Sequence, residues 1–306
     1  MGTVEESRLF GGLEAGGTKF VCVVGTGPDD IVDTLRIEVG DPDETLDAAL
    51  GFFRETIAEG RSLSAIGIGS FGPVELRVGH PGYGTITTTP KPGWSGTDVL
   101  GQFSSAFGLP VGFDTDVNAA ALAEGRWGSA RGLASFVYLT LGTGIGGGAV
   151  IDGRVVHGLV HPEMGHVAVP RHPSDRFAGN CPFHGDCLEG MASGPAVAAR
   201  FGRRAEHLDG ADRSTAAELV GFYLAAGVRS IVYALAPERI VVGGGLSALP
   251  CVLVAARAEL KRQLHGYPDL AEHERDDFLA PALLGGGAGP AGTLILAEQA
   301  RRSHDD

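Results

Sequence analysis

Glycine is the feature that most constrains how this chain can fold. The chain holds 49 glycines in 306 residues, about 16%, whereas the usual share is about 7%. The glycines follow no three-residue period, which excludes a collagen-like structure, and many stand in clusters after short apolar runs. Because glycine has no side chain, it permits tight turns and close approach of the backbone to a ligand. The clusters are therefore the first places to look for a binding site.

The remaining composition is that of a globular protein. Hydrophobic residues make up 43% of the chain and charged residues 20%, and a length of this order fits two domains or one large one. The formal net charge of −13 makes the chain a poor general binder of phosphate backbones, so no nucleic-acid partner is expected. Four cysteines and an N-terminus without an apolar signal core predict a reduced, cytoplasmic protein.

An uncharged run, residues 134–151, is long enough to span a membrane. It contains five glycines together with Ser135, Thr140 and Thr143, which favours a buried turn of a soluble protein and no membrane partner.

Short apolar runs alternate with helical periodicities along the chain, and this alternation predicts an α/β fold. A helix is expected to begin with Asp43 as its cap, because apolar residues recur after it at helical spacing. Two strands, Phe136–Leu141 and Ala149–Ile151, are expected to be joined by a loop over Gly142–Gly148. A long helix is predicted at Thr215–Leu235, and a last one at Gly292–Arg301.

The first glycine motif is Gly12-Leu-Glu-Ala-Gly-Gly-Thr-Lys19. It differs from a P-loop because Gly17-Thr18-Lys19 leads into a strand, whereas a P-loop opens a helix. A hairpin turn whose N–H groups and Thr hydroxyl face a phosphate suits these residues. A plain hairpin turn is the alternative.

The second motif, Leu139-Thr-Leu-Gly-Thr-Gly-Ile-Gly-Gly148, contains G-x-G-x-x-G. A dinucleotide-binding loop would require a helix to follow, but a strand and another turn follow here. The motif therefore predicts a second hairpin, with Thr143 at its tip able to donate to a phosphate. A tight buried hairpin without a ligand is the alternative.

A third cluster, Gly243–Gly245, ends the strand Ile240–Val242 and precedes a helix. A strand end without side chains lets a flat ring or a ribose approach the backbone. Asp116 lies in Phe113-Asp-Thr-Asp-Val-Asn118, where a strand meets a helix. Phosphoryl transfer to a hydroxyl needs a carboxylate base near the acceptor, although an Asp at a helix start is often only a cap.

A cluster of sulfur and nitrogen ligands lies in His161–Cys187. Cys181-Pro-Phe-His184-Gly-Asp-Cys187 places two thiols and an imidazole within seven residues, and His166 lies fifteen residues before Cys181. This spacing matches tetrahedral zinc, and four protein ligands predict a structural site. Two buried thiols beside an exposed histidine are the alternative. That alternative is weakened because the segment is poor in apolar residues, and a metal would supply the order.

Four other histidines, His80, His157, His161 and His172, are interpreted as surface or core residues without a metal role.

Taken together, these motifs resemble the ROK sugar kinases, which are actin-like (ribonuclease H-like) ATPases, and the resemblance covers residues 9–301. It implies a two-lobed α/β fold with a zinc-binding loop. The smaller lobe would hold residues 1–115 and 291–306 and the larger lobe residues 116–290, and the two would close over the sugar to exclude water. It also implies ATP, Mg²⁺ and structural Zn²⁺ as cofactors, and a homodimer.

The Cys-x₂-His-x₂-Cys form of the zinc loop differs from the usual family pattern, which has a further Cys in place of His184. Together with 161–166 and Thr89-Pro-Lys-Pro-Gly-Trp94, it resembles the bacterial fructokinase branch. The reaction that this resemblance implies is ATP-dependent phosphorylation of a hexose at its 6-hydroxyl, with D-fructose as substrate.

The resemblance also implies a role for each site residue. Asp116 would be the base that takes the proton from the sugar's primary hydroxyl. Lys91–Trp94 would border the sugar, although Trp94 could equally be core, and an acid beside a metal loop is often only solvated. The residues implied to bind ATP are Gly16, Gly17, Thr18, Lys19, Thr143, Gly144, Pro195, Gly243, Gly244, Gly245, Leu246 and Ser247. Those implied to bind sugar are Gly72, Pro73, Asn118, Glu163, His166 and Glu189. Those implied to bind zinc are His166, Cys181, His184 and Cys187.

Three alternatives remain at this stage. The same kinase could act on mannose, glucose or an N-acetylhexosamine, because phosphate loops do not read the acceptor. A sugar-sensing regulator without catalysis would need a DNA-binding module of roughly 60–80 residues, and eleven residues precede Gly12. A zinc hydrolase or a zinc-finger module would use the metal in another way, and a hydrolase would leave one zinc position to water.

Overall fold

The computed structural model describes residues 9–305. Within them the chain divides into two compact units. The first unit comprises residues up to Ala123, His157–His161 and residues from Gly287 onward, and the second comprises Glu124–Val156 and Pro162–Gly286. Each unit is built on a five-stranded sheet with helices, so the predicted α/β class is confirmed. The lobe boundaries predicted after residues 115 and 290 stay a prediction, and the compact units place 116–123 and 157–161 with the N-terminal segment.

The strands are β1 (Leu9–Ala15), β2 (Lys19–Gly27), β3 (Asp30–Glu38), β4 (Leu63–Ser70), β5 (Val111–Thr115), β6 (Phe136–Leu141), β7 (Ile145–Ile151), β8 (Arg154–Val155), β9 (Arg239–Gly243) and β10 (Leu279–Pro281). The helices are α1 (Pro42–Ala58), α2 (Val99–Phe107), α3 (Asp116–Trp127), α4 (Leu188–Ala192), α5 (Gly194–Phe201), α6 (Gly210–Leu235), α7 (Pro250–Leu264) and α8 (Ala288–Asp305).

The sheet of the first unit has the order β3-β2-β1-β4-β5. β1 and β2 form an antiparallel hairpin, whereas β1, β4 and β5 run parallel. The three parallel strands end side by side, because Ala15 pairs with Ser70 and Ser70 pairs with Thr115. In open α/β sheets, ligands bind beyond the carboxyl ends of such strands. This edge is therefore where the first unit is expected to carry its site.

Glycine lets the backbones of the first unit pack closely. A Cβ on Gly67 of β4 would lie 1.8 Å from the carbonyl oxygen of Thr293 on α8, and one on Gly292 would lie 1.8 Å from that of Ala119 on α3. Such distances leave no room for a side chain. These two glycines therefore allow α8 to pack closely against β4 and α3, and their role is in packing and not in ligand binding.

Helix α1 begins two residues earlier than predicted. Asp41 is its cap, because its carboxylate accepts hydrogen bonds from the N–H groups of Asp43 and Glu44 at 3.0 and 3.4 Å. The prediction that Asp43 is the cap is therefore wrong. Pro42 in the first helical turn fits this start, since proline lacks the N–H that the turn would leave unbonded.

The sheet of the second unit has the order β10-β9-β6-β7-β8. Its core packs α6 and α7 with the buried side chains of β6 and β9. Among the described residues, α6 is the one helix long and apolar enough to cross a membrane, and most of its apolar stretch is buried inside the protein. The run 134–151 forms β6, a turn and β7. The two strands are mostly buried, but Thr143 in the turn is exposed, so the prediction that the turn itself is buried is wrong.

Candidate active site and metal centre

The turn between β1 and β2 carries the predicted phosphate-binding residues of the first unit. The N–H of Gly16 donates to the carbonyl oxygen of Lys19 at 3.1 Å, while Gly17, Thr18 and Lys19 are exposed. A Cβ on Gly17 would meet no atom within 4 Å. Packing therefore does not require glycine at this position, and the open space beside the backbone suits an incoming phosphate.

A lysine from a distant loop reaches the same turn. The ammonium of Lys91 donates to the carbonyl oxygen of Gly17 at 2.6 Å. The loop is anchored by Trp94, which is fully buried between Phe20 and Phe71 and donates from Nε1 to the carbonyl of Gly40 at 3.2 Å. The reading of Trp94 as core is confirmed, and Lys91 adds a positive charge beside the turn.

Beyond the end of β4 lies the predicted sugar-binding pair Gly72 and Pro73. The next residue, Val74, donates its N–H to Nε2 of His161 at 3.1 Å. A Cβ on Gly72 would lie 3.1 Å from Cε1 of the same imidazole. His161, which the sequence left as a surface or core residue, is buried and shapes this loop.

Asp116 is the first residue of α3 beyond the end of β5. The capping bond comes from Thr115, whose hydroxyl accepts from the N–H of Asn118 at 3.1 Å. Asp116 accepts from the adjacent N–H of Val117 at 2.8 Å. Because Thr115 supplies the side-chain cap between positions three apart, capping does not by itself explain the carboxylate of Asp116.

Asn118, predicted to bind sugar, is fully buried. Its Nδ2 donates to Oδ1 of Asp114 at 2.6 Å, and Nε2 of His157 lies 2.9 Å from Oδ2 of that carboxylate. Among the described residues, Oδ1 of Asn118 has no hydrogen-bond partner. The sequence did not single out Asp114, and it predicted His157 only as a surface or core residue. An ionisable residue at the end of a predicted strand, two positions before the candidate base, was the available signal.

Another carboxyl group lies just before the first hairpin. Glu14 of β1 is half-buried, and desolvation raises its pKa to about 7, against the opposing charges of Lys19 and Arg36. Glu14 pairs in register with Gly69 of β4, and a Cβ on Gly69 would lie 3.3 Å from the Cα of Asp116. The carboxyl edge of this sheet therefore brings together two acids that could serve phosphoryl chemistry.

In the second unit, the turn between β6 and β7 is bonded to the segments predicted to bind ATP. Gly194 donates to the carbonyl oxygen of Gly142 at 2.8 Å, and Leu246 donates to that of Leu141 at 3.0 Å. A Cβ on Gly244 would lie 2.3 Å from the carbonyl oxygen of Leu141. The unit thus brings together Thr143, Gly144, Pro195, Gly243, Gly244, Gly245, Leu246 and Ser247.

The predicted sugar ligands of the second unit are two interacting acids. Desolvation raises the pKa of Glu163 to about 7, and the charge of Glu189 adds to the shift. Glu189 also accepts from the N–H of Ile145 at 2.9 Å, which ties it to the start of β7. Glu189 is half-buried and Glu163 is exposed, and an ionised carboxylate can accept hydrogen bonds from sugar hydroxyls.

The four predicted zinc ligands converge. Their ligand atoms all lie within 4.8 Å of one another. Sγ of Cys181 is 3.7 Å from Nδ1 of His166 and 3.6 Å from Nδ1 of His184, and Sγ of Cys187 is 3.5 Å from Nδ1 of His166. A tetrahedron with Zn–S of about 2.3 Å and Zn–N of about 2.0–2.1 Å has sulfur–nitrogen edges of about 3.6 Å. The donor set and its spacing therefore fit Zn²⁺.

Local backbone bonds form this cluster. Cys181 and Gly185 exchange N–H···O bonds of 3.1 and 3.0 Å, with Gly185 at a φ of +65°. This left-handed conformation favours glycine, and the tight loop turns His184 back toward Cys181.

Comparisons with known proteins show the family of the chain. The ROK family model matches residues 10–300. A protein of Bacillus subtilis is 46% identical over 294 residues, which cover 95% of this chain and 96% of that protein. A fructokinase of Zymomonas mobilis is 42% identical over 95% of this chain and 97% of its own length. The chain therefore belongs to the ROK family.

A solved structure agrees with the fold. The ROK glucokinase of Streptomyces griseus, in complex with glucose and AMPPNP, superimposes with a TM-score of 0.75 at 26% identity. The alignment covers 95% of this chain and 99% of the glucokinase. The predicted family and the predicted actin-like ATPase fold are confirmed.

Proposed function

We propose that this protein is a fructokinase that transfers a phosphoryl group from ATP to the 6-hydroxyl of D-fructose. The observation that carries the proposal is the similarity to a fructokinase of 42% identity over nearly the whole of both chains. Similarity to the glucose-binding relative is weaker, at 26% identity, so fructose is favoured over glucose.

Asp116 is the proposed base for this reaction. Attack on a γ-phosphate requires the acceptor hydroxyl to lose its proton, and a positioned carboxylate can accept it. Asp116 lies at the start of α3, beyond the parallel strand β5. The bonds of Thr115 and Val117 fix the first turn of the helix, so the carboxylate is held on a rigid element. Asn118 is the proposed sugar acceptor of the first unit, and Glu163 and Glu189 are the proposed sugar acceptors of the second.

The phosphates are assigned to the two glycine hairpins. The proposed contacts in the first unit are Gly16, Gly17, Thr18 and Lys19, to which the structure adds the charge of Lys91 beside Gly17. In the second unit they are Thr143 and Gly144, with Pro195 and Gly243–Ser247 for the nucleoside. Backbone N–H groups and ammonium groups placed in this way stabilise charge on a transferring phosphoryl group.

Mg²⁺ is the proposed partner of the ATP phosphates. It binds through one or two carboxylates together with substrate oxygens, and Glu14 is a half-buried carboxyl just before the phosphate hairpin. A divalent cation would restore the charged form that burial disfavours. When bound, Mg²⁺ neutralises charge that develops on the phosphates.

Zn²⁺ is the proposed structural metal of the second unit, held by His166, Cys181, His184 and Cys187. All four tetrahedral positions are taken by protein, so no position remains for a catalytic water. This donor set disfavours a zinc hydrolase. The metal would hold the loop that leads to Glu189. Because the reaction consumes ATP, we also assign the protein to the cytoplasm, and a homodimer stays a family-based prediction.

The test is a coupled ATP assay over fructose, mannose, glucose and N-acetylmannosamine. Fructose should give the largest kcat/KM. Asp116→Asn should retain fructose and ATP binding by calorimetry but lose at least about a hundredfold in kcat, since general-base catalysis supplies about 10²–10⁴. A higher kcat/KM for another hexose would show that fructose is not the preferred substrate. Turnover of Asp116→Asn within tenfold of wild type would show that Asp116 is not the base.

A further inference from the structure

Asp114 is a buried carboxylate that phosphoryl transfer does not itself require. It is 4% exposed, at the end of β5. Three donors face it: Nδ2 of Asn118 at 2.6 Å, Nε2 of His157 at 2.9 Å, and the N–H of Thr115 at 2.7 Å. Buried acids are rare unless they are paired and hydrogen-bonded. The three donors satisfy the buried carboxylate of Asp114.

The partners of Asp114 bear directly on the amide of Asn118. An ionised carboxylate only accepts hydrogen bonds, so it fixes which end of the amide faces it. Nδ2 turns toward Asp114, and Oδ1 turns away. Oδ1 of Asn118 is buried and has no partner among the described residues. An unpaired buried acceptor costs stability, and a ligand hydroxyl would satisfy it.

We propose that His157 is a positioning residue for the sugar: through Asp114 it holds Asn118 with its amide oxygen turned toward the acceptor hydroxyls. The inference rests on the proposed function, because it takes the ligand of Asn118 to be the sugar. His157 touches Asp114 and the amide of Asn118 but acts on the sugar only through them. The segment His157–His161 lies in the same unit as Asp114 and Asn118.

The charges around His157 fit this role. The bond to Asp114 raises the pKa of His157 above its ordinary value, against an opposing effect of desolvation. Asp114 also raises the pKa of Tyr83, after the effect of burial on that hydroxyl. A histidine that donates to Asp114 stabilises the carboxylate. Without it, the carboxylate loses one of the three donors that hold it beside the amide of Asn118.

The test compares two substitutions of His157. His157→Gln keeps an N–H donor, whereas His157→Phe keeps bulk without one. We expect His157→Phe to lower kcat/KM for fructose at least tenfold with KM for ATP changed less than threefold, since a small misplacement near the chemistry can cost up to about 10²-fold. His157→Gln should recover activity to within about threefold of wild type. His207→Phe, at an exposed histidine, is the matched control and should match wild type.

A double-mutant cycle with Asp114→Asn tests the shared network. The losses of Asp114→Asn and His157→Phe should not add, because both act on one amide. Wild-type activity in His157→Phe would overturn the proposal. So would equal losses in His157→Phe and His157→Gln that follow their melting temperatures, since that result would show a structural role alone.

Nuclear magnetic resonance separates this proposal from the proposed function. Fructose should shift the side-chain amide signal of Asn118 in wild type and in His157→Gln but not in His157→Phe, and Asp114→Asn should lower the pKa of His157. An unchanged amide signal in wild type beside normal fructokinase turnover would overturn the positioning role and leave the function standing. Absence of turnover on every sugar, with the amide shift present, would overturn the proposed function and leave the positioning role standing.

Discussion

Glycine has two different roles in this chain, and Gly17 and Gly67 are an example of each. Gly17 is exposed in the first hairpin, and a Cβ there would meet nothing within 4 Å. Gly67 is buried in β4, and a Cβ there would lie 1.8 Å from the carbonyl oxygen of Thr293. The open backbone of Gly17 matters only if a ligand occupies it, whereas Gly67 is required by packing.

Substituting alanine at each position should therefore give opposite results. Gly17→Ala should leave the melting temperature unchanged and lower kcat/KM for ATP about tenfold or more, because the methyl group would cover N–H groups that face the phosphates. Gly67→Ala should destabilise the protein by about 2–4 kcal/mol, as overpacking against a backbone does. Denaturant unfolding and ATP kinetics measure the two effects. A destabilised Gly17→Ala with normal ATP kinetics would contradict this division.

Glu14 predicts a pH dependence of stability. Its pKa is about 7 in the folded protein but about 4.3 when unfolded. Below the unfolded pKa both states are protonated and stability is full. As pH rises from about 4.5 to 7 the unfolded state ionises first, so stability is lost. The stability of Glu14→Gln should lack this pH dependence. At pH 8 the variant should be more stable than wild type by on the order of 1–3 kcal/mol.

Urea unfolding of the metal-free protein at pH 5 and pH 8 measures the effect of Glu14. The gain from Glu14→Gln should be small at pH 5 and larger at pH 8. Glu55→Gln, at an exposed position on α1, is the control and should show no such trend. Equal gains in the free energy of unfolding at both pH values would mean that folding does not disfavour the charged form of Glu14.

At the scale of elements, the carboxyl ends of β1, β4 and β5 explain why motifs far apart in the chain converge. The strands end in register at Ala15, Ser70 and Thr115, and the first hairpin, the Gly72–Pro73 loop and Asp116 follow them. The sequence allowed the strands and the motifs after them to be predicted, because apolar runs and glycine clusters are local signals.

Other features depended on tertiary contacts. The second loop was predicted over Gly142–Gly148, but β7 begins at Ile145. Gly147 lies inside that strand, and packing requires glycine there because a Cβ would lie 2.7 Å from Sδ of Met164. The roles of His157 and His161 were also missed, since their partners Asp114 and Val74 lie more than 40 residues away. Contacts between residues so far apart in the chain produce no periodic pattern in the sequence.

The zinc loop gives a prediction at this scale. His184→Cys should keep zinc, because Cys₃His is also a tetrahedral zinc set, whereas His184→Ala should lose it. Metal analysis should find one zinc per chain in wild type and His184→Cys and much less in His184→Ala. The melting temperature should fall in the same order, since metal binding contributes to folding. Full zinc retention in His184→Ala would remove His184 from the ligand set.

At the scale of the whole molecule, the two units have separate hydrophobic cores. One core is built on β1, β4, α1 and α2 around Trp94 and Phe53, and the other on β6, β9, α6 and α7 around Tyr223. The proposed zinc ligands all belong to the second unit, and the glycines beneath α8 to the first. Damage to either feature should therefore be felt first within its own unit, because coupling between distant sites is usually small.

Hydrogen exchange followed by mass spectrometry can test this independence peptide by peptide. Removing zinc with a chelator should speed exchange in 162–192, where the ligands and α4 lie, and leave β1 and β4 protected. Gly67→Ala should do the opposite, exposing β4 and α8 while 162–192 stays protected, since local opening follows the contacts that are lost. Faster hydrogen exchange in all peptides in both experiments would contradict the independence of the two units. That result would mean that the two cores unfold as one cooperative unit, and that the zinc loop stabilises the whole chain.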